Sequence, residues 1–165
     1  MSSTQQATCD REALAVLQAI PPAGEHAIAV LDDDASLSRT ICLVLRACGL
    51  GASSFSSVAA FEEAVRLTRY DAFVLDWDLA GVTADTVIAR LRQSLYPTTP
   101  IFLHTGQLVV DGTPAEAAVA LTLARYQVRL RQKPYSPRRL AAEIQMALQV
   151  PRAWLGGDRQ ADRES

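Results

Sequence analysis

A chain of 165 residues, 49% of them hydrophobic, can bury one sizeable core and is short for two domains. Its 16 basic and 18 acidic residues leave a formal charge of -2, spread along the sequence, so neither nucleic acid nor an anionic membrane is indicated as a bulk electrostatic partner. Three cysteines (Cys9, Cys42, Cys48) without a CxxC pair and two histidines (His26, His104) argue against a disulfide framework and a zinc site, and "MSSTQQATCDRE" has no signal-peptide pattern; a cytoplasmic protein is expected. Residues 1–26 read as an N-terminal extension in which "REALAVLQAI" could form an amphipathic helix, packed on the body or serving a dimer or partner contact. From Ala27, short apolar strands alternate with capped helical patterns five times, the pattern of a parallel sheet covered by helices on both faces.

The first strand is "AIAVLD", and its helix carries Leu37, Ile41, Val44, Leu45 and Cys48 at helical spacing and stops at Gly49. "GASSFSS" is a weak second strand, followed by a helix with Val58, Phe61 and Val65 on one side. "DAFVLDW" is apolar on both faces, as a central parallel strand should be, and the next helix presents Val87, Ile88, Leu91 and Leu95. "PIFLHT" is the fourth strand, and "TPAE" at Thr113 to Glu116 opens a helix with a capping box. In "QVRLRQK", Val128 and Leu130 alternate with Arg129 and Arg131, which suits an edge strand; "SPRRLAAEIQMAL", capped by Ser136, is the last helix. Residues 150–165 read as a disordered tail.

Ligands of an open parallel sheet bind at the carboxyl ends of its strands. There the sequence places Asp32, Asp33 and Asp34 after the first strand, Asp76 and Asp78 after the third, Thr105 after the fourth and Lys133 after the fifth. Taken singly, each has a bland reading. Asp34 is read as the cap of the following helix, Asp71 and Asp78 as solvated loop residues, Thr105-Gly106 as a turn and Lys133 as a surface lysine. Taken together, carboxylates crowded on one rim repel and require a cation, and hard oxygen ligands without imidazole or thiolate match Mg²⁺. A metal, a lysine and a hydroxyl around one carboxylate form what a transferring phosphoryl group needs, with Asp76 as the nucleophile.

These residues resemble the receiver domain of two-component response regulators, through "VLDDD" at 30–34, "YDAFVLDWDLAG" at 70–81, "PIFLHTG" at 100–106 and "QKPYSPRRL" at 132–140. The resemblance covers roughly residues 27–149. It implies a flavodoxin-like, doubly wound (βα)5 α/β fold with strand order 2-1-3-4-5 and a phosphoacceptor at Asp76. It implies further that Asp32 and Asp33 serve Mg²⁺ (or Mn²⁺), with Asp33, Asp76 and the backbone carbonyl of Asp78 as direct ligands, and that Thr105 and Lys133 meet the phosphoryl oxygens and act as switch residues. The implied partners are a sensor histidine kinase or histidine phosphotransfer protein, a downstream protein target and a second copy in a homodimer, with no DNA and no membrane. Such a stand-alone signalling protein catalyses only its own phosphorylation and dephosphorylation.

Three departures from the family pattern stand out. Ala80 replaces a proline after the acceptor, which is expected to loosen that turn. Leu130 occupies the switch position that usually holds an aromatic ring. Thr105 and Lys133 stand further apart than in the family, so "GQLVVDGTP" or the fourth helix is enlarged on the output face. Two other readings remain. One is a receiver fold used as a phosphorylation-independent binding module. The other is a haloacid-dehalogenase-like phosphatase, whose DxD motif "FVLDWD" imitates but whose order of motifs the sequence does not follow.

Overall fold

Five short strands, the three central ones largely apolar, pair in parallel in a computed structural model that describes residues 26–106 and 114–149. They are β1 (Ala27–Leu31), β2 (Gly51–Phe55), β3 (Ala72–Asp76), β4 (Ile101–Thr105) and β5 (Arg129–Gln132), in the order β2-β1-β3-β4-β5. The expected order 2-1-3-4-5 is therefore observed. Register follows directly, with Val30 beside Val74 and Val74 beside Phe102. The helices are α1 (Ala35–Ala47), α2 (Val58–Leu67), α3 (Ala84–Gln93), α4 (Pro114–Tyr126) and α5 (Pro137–Gln149).

Period-two alternation divides the core in two. Ile28, Val30, Val74 and Phe102 pack with Ile41 and Leu45 of α1 and Leu140 and Ile144 of α5. Ala29, Leu31, Phe73, Leu75 and Leu103 pack on the opposite face with Phe61 of α2, Val87 and Ile88 of α3 and Val119 of α4. The central strand β3 is buried at every position, as its unbroken apolar run requires.

Local signals hold α1 in place. The Asp34 side chain accepts the N–H groups of Ser36 and Leu37 at 2.9 and 3.1 Å, and Gly49 just past the helix has φ +84°, a conformation that favours glycine. Polar "GASSF" is nonetheless a full edge strand, paired along its length with β1, and Arg46 of α1 donates to the Ala52 carbonyl on its outer side. Asp71 does more than face solvent: its carboxylate accepts the Ala27 N–H at 2.9 Å and ties the entry of β1 to β3.

Two expectations need correction. Leu95 lies beyond the end of α3 and is 57% exposed, because the helix stops at Gln93 before the hydrophobic face reaches it. Ala80 does not loosen its turn. Asp78–Leu79 pairs with Val82–Thr83 in a tight antiparallel hairpin whose two-residue loop has φ +48° at Ala80 and φ +95° at Gly81, as in a type I′ turn. Proline, locked near -65°, does not fit there. Ala80→Gly is expected to stabilise the protein by up to about 1 kcal/mol. Ala80→Pro is expected to destabilise it by more than about 1 kcal/mol, both read by urea unfolding.

The amphipathic segment at 11–20, the loop at 107–113 with the Thr113 cap, Cys9 and the tail from 150 lie outside the described residues. Among the described residues, no helix is long and apolar enough to cross a membrane.

Candidate phosphoacceptor and metal site

The carboxyl ends of β1, β3 and β5 meet at one rim of the sheet. Strand alternation sends Asp32, following Val30, and Asp76, following Val74, to the same face as α1 and α5. Asp32 is 1% exposed and Asp76 8% exposed, whereas Asp33 is exposed. Carboxylate oxygens of Asp32, Asp33 and Asp76 come within 4.8 Å of one another. The Lys133 ammonium bridges the two buried acids, at 2.9 Å from Asp32 Oδ2 and 3.0 Å from Asp76 Oδ2. The remaining oxygens are also held: Asp34 N–H donates to Asp32 Oδ1 at 3.0 Å, and Trp77 N–H donates to Asp76 Oδ1 at 2.9 Å.

Burial pushes the Asp76 carboxyl above the usual carboxylate range; the Lys133 hydrogen bond pulls it down and the Asp32 charge pushes it up, and burial with Asp32 prevails. Burial disfavours the Lys133 charge, but hydrogen bonds to Asp32 and Asp76 outweigh it and raise its pKa above the ordinary lysine value. Among the described residues one fixed positive charge, Lys133, thus lies at a cluster of three carboxylates, and the surplus of negative charge on hard oxygen donors suits a divalent cation such as Mg²⁺. The hairpin leaves a further oxygen outside its ladder. Ala84 N–H donates to the Trp77 carbonyl at 3.0 Å, so Asp78 and Thr83 form the non-hydrogen-bonded pair, whose backbone groups turn away from the partner strand.

Thr105 ends β4 and is 1% exposed. Alternation puts it on the face of Leu103, opposite to Asp76, while its carbonyl accepts the Lys133 N–H at 2.8 Å. Leu130 is half-buried against the core on the α2–α4 side. The acids and Lys133 converge through their side chains; Thr105 joins them through its backbone.

His104 has a larger part here than its sequence reading gave it. It is the register neighbour of Asp76 in the sheet, 1% exposed, and its carbonyl accepts the Trp77 N–H at 2.8 Å. Its Nδ1 shares a 2.7 Å hydrogen bond with the Tyr135 hydroxyl, and the two rings lie 4.4 Å apart. Burial first, then the charges of Lys133 and Arg131, lower its pKa to about 3, so the ring is neutral. Burial first, and then the charges of Asp32 and Asp76, hold the Tyr135 phenol well above its ordinary pKa. The available sequence signal was the two-residue period of β4; the register that aligns His104 with Asp76 is tertiary.

This fold, with an acidic cluster at the carboxyl rim of a 2-1-3-4-5 sheet, is the receiver-domain fold of response regulators. The chain is similar to the transcriptional regulatory protein FixJ of Bradyrhizobium diazoefficiens, 28% identical over 121 residues that make up 73% of this chain and 56% of that protein. It thus spans about half the length of that curated relative. Full-length FixJ from B. japonicum superposes with a TM-score of 0.66 at 24% identity, over 80% of this chain and 63% of that one. A CheY-like receiver domain protein from Methanospirillum hungatei superposes with a TM-score of 0.63 at 17% identity, over 74% and 93% of the two chains. No protein-family model matches the chain.

Proposed function

We propose that this chain is a phosphoacceptor receiver of a two-component system, in which Asp76 takes a phosphoryl group from a phosphohistidine of a sensor histidine kinase or histidine phosphotransfer protein. The observation that carries this reading is the Lys133 ammonium held between Asp32 and Asp76 beside the exposed Asp33. An Asp76 oxygen attacks phosphorus, the new O–P bond forms as the N–P bond of the donor breaks, and the imidazole leaves with the bonding pair. Asp32, Asp33 and Asp76, with the Asp78 carbonyl, would hold Mg²⁺ or Mn²⁺, and a bound metal would neutralise charge on the phosphoryl oxygens. Lys133 pairs with one phosphoryl oxygen and Thr105 turns its hydroxyl to another. This gives the phosphorylated state contacts that the free state lacks, and so shifts the population between two conformations. The output is read by protein contacts, in the cytoplasm, by a downstream protein or a second copy of the chain. The protein acts on no substrate but its own acceptor.

Acetyl phosphate with Mg²⁺ is expected to add one phosphoryl group to the intact protein, and excess chelator to prevent it. Mg²⁺ alone is expected to perturb the emission of Trp77, which adjoins Asp76, read in a Trp154→Phe background. A phosphorylation-independent binding module would stay unlabelled, and a phosphatase would turn over a generic phosphoester many times.

A further inference from the structure

A histidine is a costly choice for the interior of β4. His104 Nε2 is buried and has no hydrogen-bond partner among the described residues, a cost that an apolar side chain there would not carry. Its other nitrogen bonds Tyr135, two residues beyond Lys133. The same short segment therefore carries, at one end, the ammonium that spans Asp32 and Asp76 and, at the other, a ring anchored to the strand beside Asp76. The Lys133 N–H to Thr105 carbonyl bond fixes the backbone where the segment begins, but a lysine has four rotatable side-chain bonds with which to leave the acids.

We propose that His104 and Tyr135 are positioning residues for the acceptor site: their hydrogen bond pins the Lys133–Tyr135 segment to β4 and so keeps the Lys133 ammonium between Asp32 and Asp76. The pinning itself is a property of the fold; its use in phosphoryl transfer rests on the function proposed above. Neither residue touches the reacting atoms. Both act through Lys133.

Lys133 is the only lysine in the chain, since every other basic side chain among its 16 lysines and arginines is an arginine. An amine-acylating reagent therefore has one ε-amine to modify, and the modified peptide, resolved by mass from the chain's N-terminus, reports how firmly Lys133 is held. Tyr135→Phe keeps the ring and removes the hydroxyl. Acylation of Lys133 in Tyr135→Phe is expected to run about fivefold faster than in the wild type, the factor carried by one ordinary hydrogen bond. Labelling of Asp76 by acetyl phosphate at saturating Mg²⁺ is expected to slow by a similar factor.

The double variant His104→Leu, Tyr135→Phe replaces both polar partners by apolar groups of related shape, and is expected to melt at or above the wild-type temperature while Lys133 stays more reactive. Reactivity would then rise with no loss of stability, which a merely structural role does not produce. Wild-type acylation rates in both variants would overturn the proposal. Faster acylation in a protein whose wild type takes no phosphoryl group would uphold the pinning, overturn its part in transfer and sink the phosphoacceptor reading.

Discussion

Lys133→Met is expected to destabilise the metal-free protein by about 3–5 kcal/mol, the cost of breaking a buried ion pair from one side. The side chains of Asp32 and Asp76 are 2% and 10% exposed, and Lys133, at 20%, is the cation that contacts both. Two unit charges about 4 Å apart at an effective dielectric near 20 repel by roughly 4 kcal/mol, and methionine fills the space of lysine while leaving that repulsion unopposed. Urea unfolding in chelator measures the loss. Adding Asp32→Asn to Lys133→Met is expected to recover much of it, because one of the two facing charges is then gone. Mg²⁺ is expected to stabilise Lys133→Met more than the wild type, since a bound divalent ion substitutes for the missing charge. A Lys133→Met protein within about 1 kcal/mol of wild type would mean that the two carboxylates are not forced together as described.

Asp76→Asn is expected to raise the melting temperature of the metal-free protein at neutral pH. The folded-state pKa of Asp76 is raised, with burial as the first cause and the Asp32 charge adding to it, so the folded protein binds this proton more tightly than the unfolded chain does. Stability attached to Asp76 is therefore fully present below the ordinary carboxylate pKa and is lost as pH rises through the raised folded value. The asparagine variant lacks that loss. Its advantage over the wild type should grow from acid pH upward and level off once Asp76 is ionised in both states. Melting curves in chelator across that range check the trend, and an advantage that shrank on raising the pH would contradict it. Losing the Asp76 carboxylate would thus stabilise the fold, the trade expected where ionised groups are held together for chemistry rather than packing.

The succession of strands and helices and the positions of the acids and Lys133 at the strand ends were legible because both rest on local signals, whereas the 2-1-3-4-5 order came from the resemblance to receiver domains. Alternating apolar runs, the Asp34 cap and Gly49 after α1 each act over a few residues, and the rim residues follow from where the strands stop. What was not legible depends on register and backbone angle. Nothing local in "DLAGVT" distinguishes a loosened loop from a tight hairpin; the positive φ at both Ala80 and Gly81 is set by the pairing of Leu79 with Val82. His104 entered the sequence reading only in the argument against zinc, because its alignment with Asp76 depends on the β3–β4 register, and its bond to Tyr135 on how the segment after β5 returns over the sheet. Leu95 looked like a core residue because the helical period runs on past the point where the helix ends.

The most direct test of the central claim is peptide mapping of the intact protein after exposure to acetyl phosphate and Mg²⁺. A single hydroxylamine-labile phosphoryl group on Asp76, lost with chelator and absent from Asp76→Asn, is the predicted result. A wild type that takes up no phosphoryl group, or an Asp76→Asn variant labelled as well as the wild type, would contradict it.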